Sequence, residues 1–199
     1  ICVYTDEEKQ IVFMDTPGVH KPKHKLGEFM VDAAIESLKE TEAVLFVVAG
    51  NEKRGPGDNF IIEQLKRVKV PVFLVVNKID TLQKEQVLEA IVSYQDAYPF
   101  AGVIPISAKN KENLSELLNV LGEHLPEGPQ YFPEDMITDQ PERLIISDIV
   151  REKILLSTRD EIPHAIAVDV DEMKTRDDGT TYIRATIYCE RDSQKGIII

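Results

Sequence analysis

Asp15-Thr16-Pro17-Gly18, Asn77-Lys78-Ile79-Asp80 and Ser107-Ala108-Lys109 are three short clusters whose residue types can act on one ligand. In the first, Asp15 can hold a magnesium ion directly or through water. Gly18 lets the backbone approach a γ-phosphate closely and donate its N–H. That hydrogen bond exists only while the phosphate does, so the following loop can respond to hydrolysis. In the second cluster the Asp80 carboxylate can accept hydrogen bonds from guanine N1–H and the exocyclic amine, a pattern adenine does not offer. Asn77 can tie the loop together, and the Lys78 stem can lie along the base plane. In the third, small side chains would let a backbone N–H reach guanine O6. Each cluster alone also reads as an ordinary polar turn; their order and their positions after strands give them joint weight.

The elements that must position these clusters are legible as hydrophobic pattern. Short apolar runs at 11–14, 43–48, 70–76 and 103–106 alternate with helical patterns, and the last three runs are apolar on both faces. Strands of that kind belong to a parallel sheet covered by helices on each side. Leu26, Phe29, Met30, Ala33 and Ala34 follow helical spacing, and so do Leu114, Leu117, Leu118 and Leu121. Ile61, Leu65 and Val68 mark another helix, and Val87, Leu88 and Ile91 a fourth. This alternation predicts an α/β fold with a doubly wound, mostly parallel sheet over residues 1–125, whose ligands bind beyond the carboxyl ends of the strands.

Three prolines and a glycine between Pro126 and Pro133 open a linker, taken as 126–140. A second domain is expected over 141–199. It opens with a helix carried by Ile145, Ile146, Ile149, Val150, Ile154 and Leu155, with Pro141 in its first turn. Two alternating strands follow, joined by a turn at Asp178-Gly179, and then the start of another helix, which is an α+β pattern. In the second strand Ile183, Ala185, Ile187 and Cys189 share one face, and Tyr182, Arg184, Thr186 and Tyr188 the other.

The net charge of −12 argues against non-specific binding to nucleic acid. From Pro141 onward there are 9 Lys/Arg against 12 Asp/Glu, which leaves most of the acidity in the first 140 residues. The run His20-Lys21-Pro22-Lys23-His24-Lys25 is the most basic stretch of the acidic half. It reads either as a solvated loop or as a switch loop that meets RNA phosphates or the second domain. Cys2 and Cys189 sit in strand patterns as small hydrophobes and fit a reducing cytoplasm. The chain opens on Ile1 in a strand-like segment and closes on an apolar run, so it reads as an interior piece of a longer protein.

The three clusters, in this order, resemble the third, fourth and fifth conserved boxes of translation-factor GTPases. The longer stretch Asp15 to Pro22 is similar to the Era family in particular. So are Ile162-Pro163-His164, Arg184-Ala185-Thr186-Ile187 and the segment from Glu190 to Ile199. The resemblance implies a GTPase domain of the P-loop type, incomplete at its N-terminus, joined to a KH type II-like RNA-binding domain incomplete at its C-terminus. It implies a GTP/GDP site at Asp15, Thr16, Pro17, Gly18, Asn77, Lys78, Asp80, Ser107, Ala108 and Lys109, with Mg2+ at Asp15. The implied partners are the 3′ end of 16S ribosomal RNA and the small ribosomal subunit, whose assembly the family assists. Arg184, Arg191 and Lys195 are the candidate RNA contacts. A cytoplasmic monomer that also meets the inner membrane surface completes the expectation.

The chain departs from the family pattern in two places. The glycine-rich phosphate loop ending in Gly-Lys-Ser, with the switch threonine after it, does not occur, and neither does the Gly-x-x-Gly loop of a KH domain. These 199 residues alone are therefore expected to bind GTP poorly and to hydrolyse it negligibly. Where Ras-like switches carry a water-orienting glutamine stands Val19, which cannot hydrogen-bond water, and His20 is the nearest polar candidate for the catalytic position. A non-catalytic RNA- or protein-binding module with a vestigial nucleotide site is the competing reading, and an unrelated doubly wound protein for another phosphate ligand is a third.

Overall fold

The computed structural model describes residues 1–15, 35–36, 38–158 and 166–198. They fall into two units, Val3–Asp135 and Met136–Ile199 together with Ile1–Cys2. The expected linker is thus divided: 126–135 belongs to the first unit and 136–140 to the second.

β1 (Cys2–Thr5), which enters the first unit at Val3, and β2 (Gln10–Phe13) form a two-stranded sheet. After them come β3 (Val44–Ala49), α1 (Pro56–Leu65), β4 (Val72–Asn77), α2 (Lys84–Gln95), β5 (Gly102–Pro105) and α3 (Leu114–Gly122). Strands β3, β4 and β5 pair in parallel in that order, with β4 in the centre. The period-2 alternation of β4 builds two cores. Val72, Leu74 and Val76 pack with Ile62, Leu65 and Tyr94 on one face; Phe73 and Val75 pack with Leu117, Leu121 and Ile11 on the other. Helices on both faces make this the doubly wound α/β arrangement that the pattern predicts.

The expectation of strands buried on both faces holds for β4, whose residues Val72 to Val76 are at most 1% exposed. It fails for its neighbours: Val47 of β3 is 54% exposed and Val103 of β5 is 37% exposed. Each of these strands is paired on one side only among the described residues, whereas β4 is paired on both. The helical pattern at 26–34 lies outside the described residues.

The second unit contains α4 (Glu142–Thr158), β6 (Ile166–Thr175), β7 (Thr181–Cys189) and α5 (Asp192–Ile198). Strands β6 and β7 form an antiparallel hairpin with Val168 opposite Ile187 and Val170 opposite Ala185. Gly179 takes a left-handed φ of 83° in the connecting loop, which a residue without Cβ adopts freely. The register shifts between Val170 and Glu172, a bulge at Asp171. No helix among the described residues is long and apolar enough to cross a membrane.

Candidate nucleotide site

Parallel pairing brings the carboxyl ends of β4 and β5 side by side. Val76 is registered against Pro105, and Ile106 N–H donates to Val76 C=O at 2.8 Å. Both strands then release their chains into the two polar clusters. After Asn77 the backbone turns sharply: Lys78 takes the left-handed conformation, φ 67° and ψ 31°, and Ile79–Thr81 form one 3-10 turn. For a residue with a Cβ that conformation costs about 1–2 kcal/mol. Local hydrogen bonds offset it. Lys78 N–H donates to Asn77 Oδ1 at 2.7 Å, and Lys78 C=O accepts the Thr81 hydroxyl at 2.8 Å.

Side chains then stitch the two loops together. Asn77 Oδ1 also accepts Ala108 N–H from the neighbouring loop at 3.0 Å. The Ser107 hydroxyl donates to Asp80 Oδ1 at 2.6 Å and accepts Asn110 N–H at 3.0 Å. Ile79 N–H reaches Ile106 C=O at 3.3 Å. Ser107 is fully buried, whereas Lys78, Asp80, Ala108 and Lys109 are exposed. The groups that can meet a base therefore lie at the surface, held by the buried Ser107 hydroxyl and by the Asn77 amide oxygen, which accepts two N–H groups. The N1–H and amine donors of guanine fit this acceptor. Asp80 keeps one carboxylate oxygen outside the Ser107 bond, and Ala108 puts no bulk beside it.

Three further residues shape the site, and local sequence gave little sign of them. Gly50, just past β3, donates its N–H to Asn77 C=O at 2.8 Å. A Cβ there would lie 2.9 Å from Val76 Cγ1 and 3.0 Å from Leu82 Cδ1, so only glycine lets this strand end approach the loop. Glu52 brings a carboxylate oxygen to 3.9 Å from Lys78 Nζ. Asn113, left-handed at φ 57°, donates Nδ2–H to Pro105 C=O at 2.8 Å and closes the base of the second loop. A helix-capping asparagine was the signal available for Asn113; the other two depend on strand order.

Asp15 is exposed just after β2 and stands outside this network. Its strand is tied to the same domain core through Ile11, which packs with Phe73 and Val75. An exposed carboxylate at that place suits a hard cation. Thr16, Pro17, Gly18, Val19 and His20 lie outside the described residues, as do the basic run to Lys25 and Ile162-Pro163-His164. Of the candidate RNA contacts, Arg184 is engaged by two carboxylates: Nη1 lies 3.4 Å from Glu172 Oε2, and Nε lies 3.9 Å from Asp171 Oδ2. Asp171 also accepts the Thr186 hydroxyl at 2.6 Å, and Glu172 pairs with Lys174. Arg191 N–H donates to Gln194 Oε1 at 3.0 Å, and Lys195 is exposed in the last turn of α5.

Comparison with known proteins gives the arrangement a family. The family described as Elongation factor Tu GTP binding domain matches residues 2–127, and the KH domain family matches 161–199. GTPase Era of Clostridioides difficile is 55% identical over the whole chain, which spans 67% of that relative. The chain belongs to the Era family of GTPases. GTPase Era of Lacticaseibacillus paracasei is 52% identical over 99% of the chain and 66% of the relative's length, so the chain spans about two thirds of each. Two solved Era structures superpose on the whole chain with TM-scores of 0.78. One, 39% identical, is in complex with MgGDPNP and nucleotides 1506–1542 of 16S ribosomal RNA; the other, an Aquifex aeolicus Era variant 40% identical, is bound to GDP·AlF4−. The chain covers 68% of the length of each.

Proposed function

We propose that this chain forms the greater part of a GTP-hydrolysing switch that binds the 3′ end of 16S ribosomal RNA and assists assembly of the small ribosomal subunit. The observation that carries the nucleotide half is the stitching of Asp80 to Ser107 and of Asn77 to Ala108. It holds an exposed carboxylate for the N1–H and amine edge of guanine by bonds within the protein itself, and such preorganisation removes an ordering cost from binding. The Era complex with MgGDPNP and ribosomal RNA supports both halves. Asp15 is the residue that would hold Mg2+, which supplies positive charge against the phosphates. We assign the protein to the cytoplasm as a monomer that also meets the inner membrane surface; two free cysteines agree with a reducing compartment.

Asp80→Asn in the full-length protein tests the guanine reading. An amide presents one donor where the carboxylate presented an acceptor, so GDP affinity should fall and xanthosine diphosphate affinity rise, by roughly tenfold or more per mispaired group. Calorimetry with both nucleotides reads this, and an unchanged preference for GDP would sink the assignment.

A further inference from the structure

The side-chain amide of Gln10 has every hydrogen-bonding position occupied, and most of them by the backbone of one distant segment. Oε1 accepts Tyr131 N–H and Phe132 N–H, each at 2.9 Å. Nε2 donates to Phe132 C=O at 2.9 Å and to the Thr5 hydroxyl at 3.0 Å. A glutamine amide offers two donors and two acceptor lone pairs, and here all four are used. The contacted segment follows α3 and runs without regular structure and mostly exposed from 126 to 135, where the first unit ends. Gln10 is its described side-chain anchor on the sheet.

Gln10 is also the first residue of β2, and that strand ends at Phe13, two residues before Asp15. One short strand therefore carries the linker clamp at its start and the phosphate-sensing box at its end. The chain crosses between the units twice, at Cys2–Val3 and at Asp135–Met136. Gln10 holds the first-unit side of both crossings, through the Thr5 hydroxyl at the end of β1 and through residues 131 and 132. Hydrogen-bond networks joined to a strand in this way can carry coupling between sites.

We propose that Gln10 is a positioning residue of the switch: it fixes the linker to the strand that ends at the phosphate sensor and so passes nucleotide state to the RNA-binding unit. This rests on the GTP-switch reading above. The residue touches neither nucleotide loop, so its effect falls on coupling and not on nucleotide affinity. Gln10→Met keeps the length and removes all four bonds.

The experiment compares full-length wild-type and Gln10→Met protein, with an RNA of 16S nucleotides 1506–1542 as probe. The quantity read is the ratio of RNA affinities with a GTP analogue and with GDP. The variant should bring that ratio toward unity by about fivefold or more, the low end of common coupling energies. Its affinity for GDP without RNA should stay within about twofold of wild type. An unchanged ratio overturns the inference while leaving the switch reading intact. Absence of guanine-nucleotide binding by the wild type overturns both. Should Gln10→Met fail to fold, amide exchange in the wild type decides. Tyr131 and Phe132 must be protected and must exchange at different rates with GTP analogue and with GDP. Equal rates overturn the proposal.

Discussion

Removing the Ser107 hydroxyl takes away two hydrogen bonds at once, one to the Asp80 carboxylate and one from Asn110 N–H. The hydroxyl is fully buried, whereas its partners Asp80 and Asn110 are exposed. A hydrogen bond to a charged group contributes about 1.5–3 kcal/mol. Ser107→Ala should therefore weaken GDP binding by roughly ten- to hundredfold in calorimetry on the full-length protein. Unchanged affinity would show that Asp80 is held by something else. At this scale the sequence was informative about the residues that face the ligand. Asn77, Lys78 and Asp80 directly follow an apolar run, and a polar cluster at a strand's carboxyl end is where this fold puts ligands. It was silent about the partners. Glu52 meets Lys78 across 26 positions of sequence, and Gly50 meets Asn77 across 27, pairings created only by the parallel register. Arg184 shows the reverse: a cation legible by type, whose charge is shared with Asp171 and Glu172 because a bulge re-aims the strand.

Among the elements, β4 is the one on which the site stands. Its burial on both faces fixes the height of Asn77, and its neighbours fix the register. The end of β3 is packed so closely against it that Gly50→Ala must displace Val76 or Leu82. Overpacking of this kind costs about 1–3 kcal/mol. We expect a lower urea midpoint with unchanged slope, together with weaker GDP binding, because the shift passes directly into Asn77. A fully stable variant with wild-type affinity would mean that the strand end has room to yield. Pattern reading found β3, β4 and β5 and their helices, because apolar runs of this length have few other solutions. It overstated the burial of β3 and β5, where Val47 and Val103 are exposed. The bulge in β6 left no local mark either: Asp171 breaks the alternation no more than a surface aspartate would.

On the scale of the whole molecule, the division at 135/136 predicts that unfolding is not a single transition. Scanning calorimetry of the full-length protein should resolve two transitions. GDP should raise the one that belongs to the first unit, and the ribosomal RNA oligonucleotide the other, because each ligand stabilises the unit that binds it. A single transition raised equally by both would refute independent units. The sequence drew this division within its proline-rich segment but placed the boundary by composition. The structure places it at 135/136, just past the segment that Gln10 grips at residues 131 and 132. The same division sorts the sulfur atoms. Cys189 and the exposed Cys2 both belong to the second unit, and residues 3–135 contain no cysteine. A thiol-directed dye therefore labels this chain within the second unit, without any engineering. A change in its emission when nucleotide is added would be a signal that had travelled from one unit to the other.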